Sequence, residues 1–398
     1  MILAADLRFP GGTSQAVADE IRALHDAGLR VGVAALRFRD LDNSLAVHPR
    51  IREVLERRWA VRIERGRASA PLAVVHNPTL LDRLDHDGDL DLAAEVCVVV
   101  AHHLPVDPAG RPCYDVARIE RNARRIFGRS LVWAPNSPVC RRAFVEHGLH
   151  VTLLRDDWRN VVFPDDWGTA RDRPRFDVLT MGRHSRSEPE KWPDSIDDLL
   201  AAYPDDPDVR VRLLGVDDSL LRRLPAVPSS WTTLPFGSMP VAEFLETIDF
   251  LVYFHHHLLR ESFGRCVAEA VSAGVVCIVP EYLRETFGPA ALYSTPQEST
   301  ALARRLFEHP AEYGAQSRSA RAHLEATYGS ARHVKLVTDT IEAARHGSLR
   351  DDRVEEIGLS GAAAVARAKL RARGIMVAGI VKPARRAARV AGRLFGLG

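Results

Sequence analysis

Short apolar runs recur along this chain and alternate with stretches of helical period. In the first part they fall at residues 2–5, 31–36, 72–76, 96–101, 131–134 and 151–154. Between the first two lies a helical stretch with Val17, Ile21 and Leu24 on one face, closed by Gly28. Apolar runs this short are the mark of strands buried on both faces. Separated by helices, such strands lie parallel in one sheet and are joined by crossovers. The rhythm stops at a polar, Pro- and Gly-containing stretch over residues 163–175, which reads as a linker. It then restarts with strands over 176–181, 209–214, 232–235, 249–254, 275–279 and 290–293. Helices are expected over 195–202, 241–247, 263–273, 299–308, 311–326 and 331–345. The fold class is therefore α/β, with two doubly wound, Rossmann-like domains over 1–165 and 166–346. A chain of 398 residues also exceeds the usual size of a single core.

Charge separates a third segment, 347–398. After Glu356 there are nine basic residues and no acidic one, whereas the body carries 45 basic against 52 acidic residues. An acidic body is not of the nucleic-acid-binding kind. In the tail, Arg385, Arg389 and Arg393 fall on one side of a helix, and Ala387, Val390, Ala391 and Leu394 on another. That pattern over 361–398 suits an anionic membrane surface. It equally suits a solvated tail or a helix docked on the acidic body. The five cysteines have no metal-type spacing and several lie in apolar runs, which fits buried thiols in a reducing compartment. No signal-type segment begins the sequence and no apolar run approaches the roughly 20 residues of a membrane span. The expected location is cytoplasmic, peripheral on the membrane if the tail binds it.

The stretch richest in chemistry runs from Arg260 to Gly274, between two strands. Ser262 reads as a helix N-cap, which would leave the amides of Phe263, Gly264 and Arg265 pointing outward as an anion site. Glu261 and Glu269 stand eight positions apart. Arg265 and Glu269 are also spaced for a solvated helical ion pair. Elsewhere, Gly11 and Gly12 precede a helix and allow close approach to the backbone. His76, His102 and His103 end apolar runs, where α/β folds place ligands. Arg183 and Lys191 follow the first strand of the second domain and offer a fork and a point charge to a diphosphate. Phe236, Gly237 and Ser238 follow its third strand and offer amides and an aromatic to a flat base. Three consecutive histidines, His255 to His257, are adjacent and lack a Cys or carboxylate at ligand spacing, so no metal site is expected.

Taken together, Gly11-Gly12, Gly182-Arg183 with Lys191, Phe236-Gly237 with the Glu243-Phe244-Leu245 helix, and Glu261-Ser262-Phe263-Gly264 through Glu269-Ala270 resemble the GT-B retaining glycosyltransferases of the "group 1" (family 4-like) kind. The resemblance covers roughly residues 1–346 and is most specific over the two glutamates. It implies two domains facing a cleft and a nucleotide diphosphate sugar as donor substrate, with no cofactor and no metal. It implies an acceptor on the first domain, expected to be a cell-envelope or lipid-linked glycan. On this resemblance Arg183 and Lys191 grip the diphosphate, Glu261 binds the donor sugar and Glu269 the ribose. The amides at Phe263 and Gly264 line the sugar and phosphate, Gly12 touches the diphosphate, and His102 or His103 sits near the reacting sugar. The chain departs from the pattern between Arg183 and Lys191: the gap is long, and Trp192 stands where the family has glycine. Two rivals remain, a GT-B nucleotide-sugar epimerase and a non-catalytic membrane-associated scaffold with a degenerate site.

Overall fold

The computed structural model describes residues 1–85, 90–107, 111–147, 149–346, 349 and 354–357. The chain forms two compact units, one of Met1–Val161 with the segment from Ser330 on, the other of Val162–Gly329. In the first, the strands are β1 (Ile2–Ala5), β2 (Gly32–Ala35), β3 (Val61–Ile63), β4 (Gly66–His76), β5 (Leu90–Ala101), β6 (Leu131–Pro135) and β7 (Val151–Leu154). They pair in parallel in the order β3-β2-β1-β4-β5-β6-β7. The second unit holds β8 (Leu179–His184), β9 (Val209–Leu214), β10 (Trp231–Leu234), β11 (Phe250–Val252), β12 (Val276–Val279) and β13 (Leu292–Tyr293). These are also parallel, in the order β10-β9-β8-β11-β12-β13. Both sheets follow the doubly wound order 3-2-1-4-5-6, which reverses between the first and fourth strands.

The strands are apolar throughout because successive side chains feed two cores. Cys97, Val99 and Ala101 join the core on one side of the first sheet, and Val98 and Val100 the other. In the second sheet Leu251 and Cys277 face one core, and Phe250, Val252, Val276 and Ile278 the other. The strands β4 and β5 run on toward their amino ends as a ribbon paired from Gly66 and Leu90. Sequence reasoning missed that half because Arg67, Asp91 and Glu95 are exposed there and break the apolar run.

Helix Ser330–Arg345 belongs with the first unit, so the second ends at Gly329 rather than at residue 346. Its Val337 is buried with Val17, Val74 and Trp158, which fixes the assignment. Within the segment read as a tail, β14 (Val354–Ile357) pairs antiparallel with β7. The basic stretch 361–398 lies outside the described residues. Among the described residues no helix is long and apolar enough to cross a membrane.

Gly274 closes helix Arg265–Ser272 with φ +73, and a Cβ there would meet the Thr169 carbonyl oxygen at 2.4 Å. Backbone strain and this overlap act together. Gly274→Ala should cost the second unit about 2 kcal/mol or more in urea unfolding. A loss below about 0.5 kcal/mol would show that the turn is not held as described.

Candidate active site

The order reversal in the second unit lies between the neighbouring strands β8 and β11. Loops leave such a pair in opposite directions and open a crevice at the carboxyl ends of the strands. Two of the residues singled out from the sequence, Lys191 and Glu261, meet there. Lys191 comes from the segment after β8, and Glu261 from the loop after β11. The Lys191 Nζ donates to Glu261 Oε1 at 2.6 Å. The Tyr253 hydroxyl donates to the same oxygen at 2.6 Å. Burial opposes ionisation of Glu261, but the Lys191 ammonium and these hydrogen bonds outweigh it and bring its pKa down to about 2. Burial pushes the Tyr253 phenol well up, so it stays a donor.

A second chain of bonds holds the Glu261 backbone. Its N–H donates to the Tyr282 hydroxyl at 3.0 Å, and that oxygen lies 2.7 Å from His255 Nε2. His255 Nδ1 lies 3.0 Å from the His256 carbonyl, which can only accept, so Nδ1 carries the proton and Nε2 receives the Tyr282 hydrogen. Burial lowers the His255 pKa to about 4, in keeping with a neutral ring.

Arg183 is turned into the fold. It is fully buried, with Nη1 on the Phe254 carbonyl at 2.5 Å and Nη2 on the Lys191 carbonyl at 2.6 Å. Its guanidinium lies over the Trp192 ring at 4.2 Å and the Tyr253 ring at 4.6 Å. Trp192, the departure from the family pattern, is thus one wall of the slot that confines Arg183. Arg186 lies 3.0 Å from Glu188.

Helix Arg265–Ser272 starts later than expected. Gly264, at φ +86, is its N-cap, and Ser262 is not. The Phe263 side chain is buried against Phe287 and Tyr328. Arg265 Nε does bond Glu269 at 2.9 Å, yet both side chains are largely buried, and Glu269 also lies 3.7 Å from His184 at the end of β8. Burial, aided by the Arg183 charge, lowers the His184 pKa to about 4. Gly237, at φ +75, and Ser238 are exposed beyond β10 at the sheet edge, where Ser238 Oγ bonds the Pro235 carbonyl.

In the first unit the reversal lies between β1 and β4. Gly11 and Gly12 are exposed after β1, with Gly11 at φ +86 capping helix Gly12–Asp26. His103 is exposed, with Nε2 3.3 Å from Asn77 Nδ2. His102 is buried, with Nε2 3.0 Å from His76 Nδ1. Behind His76 sits a buried carboxylate, Glu20, 3.1 Å from His76 Nε2 and 3.4 Å from His333 Nε2. The Trp158 indole N–H donates to it at 3.1 Å. The two neighbouring imidazoles hold Glu20 well below the usual carboxylate range against the effect of burial. Sequence reasoning missed Glu20, Tyr253 and Tyr282. The two tyrosines follow β11 and β12 at carboxyl ends, so the positional rule that picked the histidines would have found them.

No protein-family model and no curated protein matches the chain in sequence. Solved structures do match in shape. HepE of Anabaena, in complex with UDP-glucose, superposes with a TM-score of 0.58 at 15% identity, covering 86% of this chain and 99% of its own. A glycosyltransferase from Rickettsia africae gives 0.56 at 11% identity, over 86% and 98%. This is the GT-B fold. A UDP-forming α,α-trehalose-phosphate synthase from Burkholderia xenovorans gives 0.52 at 11% identity, over 86% and 99%. GT-B proteins are built of two Rossmann-like domains, as are the two reversing sheets here.

Because the folded pKa of Glu261 lies below its unfolded value, its pairing stabilises the fold fully above about pH 4.5 and progressively less as pH falls toward about 2. Carboxyl-carbon NMR should find Glu261 ionised at pH 3.5, and Lys191→Met should raise its midpoint by roughly 1–3 pH units. A midpoint near 4.3 in the unaltered chain would remove the pair from solution.

Proposed function

We propose that the protein is a glycosyltransferase that takes a sugar from a nucleotide diphosphate donor, with the donor held by the second unit. The observation that carries this reading is a lysine and a carboxylate paired at the carboxyl ends of β8 and β11, where the sheet order reverses, in a GT-B fold. The neighbour in complex with UDP-glucose supports a UDP-sugar as the first donor to try.

Lys191 is the diphosphate cation in this reading, since Arg183 is committed to backbone carbonyls and Arg186 lies beside Glu188. The donor diphosphate replaces Glu261 as the partner of Lys191. Glu261 then turns its acceptor oxygens to the sugar hydroxyls, and Glu269 to the ribose. Transfer breaks the bond from the sugar anomeric carbon to the diphosphate oxygen and forms one to an acceptor hydroxyl oxygen. The hydroxyl proton leaves with the diphosphate. Lys191 steadies the departing charge, and the ionised Glu261 offsets positive charge on the sugar. Retention of configuration, an acceptor bound by the first unit near Gly12 and His102 or His103, and a lipid-linked or cell-envelope glycan as that acceptor belong to the same proposal. So do a metal-free transfer step and a cytoplasmic, membrane-peripheral setting through the basic tail.

The two charged residues should separate in calorimetry with UDP and UDP-sugars. Lys191→Met should weaken UDP about tenfold or more, the value of one charge-assisted contact. Glu261→Gln should bind UDP as well as or better than the unaltered chain, because it frees Lys191, yet transfer sugar at a small fraction of the rate. Equal loss of UDP binding in both, or none in either, would contradict the assignment.

A further inference from the structure

The loop between β11 and Glu261 contains the three adjacent histidines that sequence reasoning set aside as a metal site. The fold treats them differently from one another. His255 turns inward to Tyr282. His256 and His257 do not: their rings stack on each other with centroids 4.6 Å apart at 21°. One nitrogen of each ring lies within 4.8 Å of the other. The missing carboxylate comes from elsewhere in the sequence. Asp194, 63 positions before His257, lies just past Trp192, and its Oδ2 is 2.8 Å from His257 Nδ1. Its Oδ1 receives the His257 N–H at 3.3 Å. One ligand atom from each of Asp194, His256 and His257 lies within 4.8 Å of the others.

His256 Nδ1 accepts the Leu258 N–H at 3.1 Å, a bond that an ion binding through this ring displaces. His257 and Asp194 share a proton that a metal ion can replace. The Asp194 side chain is 35% exposed and that of His257 65%, so an ion reaches them from solvent and completes its shell with water. Two imidazoles and one carboxylate favour zinc and its neighbours in the transition series over magnesium or calcium, which prefer all-oxygen sites.

We propose that Asp194, His256 and His257 form a binding site for a zinc-class divalent cation, which ties the segment bearing Lys191 to the loop bearing Glu261. Asp194 is three residues beyond Lys191, and the His256 N–H already donates to the Glu190 carbonyl at 3.2 Å. The ion adds a cross-link of side chains to that single backbone contact. It lies outside the Lys191–Glu261–Tyr253 cluster and enters no bond-making step. Its effect is on how firmly the two segments are held together.

The test uses the full chain stripped with a chelator and titrated with zinc chloride in a calorimeter, so it needs no sugar donor and is independent of the functional reading. One ion per chain should bind in the micromolar range or tighter, and saturating zinc should raise the melting temperature by several degrees. Magnesium chloride should do neither. Asp194→Ala and His257→Ala should each weaken zinc at least tenfold while keeping the metal-free melting temperature, since both side chains are substantially exposed. The chain has 16 histidines, so the variants decide the matter. Absence of binding at 100 micromolar zinc (about a hundred times a micromolar dissociation constant), or binding unchanged in both variants, would overturn the site.

Discussion

A buried guanidinium holds the second unit's crevice in shape. Arg183 stands at the end of β8 with no carboxylate against it, and it is kept by two carbonyl oxygens and two aromatic faces. A charge out of water is costly unless such groups replace its hydration. The two carbonyls belong to Phe254, after β11, and to Lys191, after β8. One side chain therefore ties together the two segments that diverge at the reversal of strand order. Lys191 and Glu261 meet because their backbones are fixed in this way, and Tyr253 serves twice, as a wall for Arg183 and as a donor to Glu261.

The first unit solves a similar problem with the opposite charge. Glu20 is a buried carboxylate with two imidazoles and an indole N–H around it. Its neighbours come from β4, from the chain after β7, and from helix Ser330–Arg345. That carboxylate joins the returning C-terminal helix to the strand end bearing His76, and through His76 to His102. In each unit, then, a buried charge at or behind the reversal point orients polar groups nearer the surface. In the second unit the charged pair beside it, Lys191 and Glu261, has side chains 18% and 15% exposed.

The fold was legible because its strands are short, apolar and separated by helices with good caps. Ser195 and Ser137 cap the helices that follow them. Strand parts with exposed polar residues, such as the first half of β5, were not legible. Glu261 and Lys191 were singled out from spacing and resemblance, but their direct pairing was not, since it depends on how two loops 70 positions apart return to one place. The backbone partners of Arg183 are visible only in three dimensions, where the Trp192 ring lies against its guanidinium as one wall of the slot. The Asp194 contact to the histidines escaped for the same reason as the pairing, because sequence spacing describes ligands on one element and not on two.

The most direct measurement of the central claim is an experimental structure with a UDP-sugar bound. The account predicts that Lys191 leaves Glu261 for a diphosphate oxygen at about 2.7–2.9 Å, the usual length of such a bond. It also predicts that a sugar hydroxyl takes the place of Lys191 against the Glu261 carboxylate, while Arg183 keeps its two backbone carbonyls. A nucleotide seated elsewhere, with the Lys191–Glu261 pair intact, would contradict it.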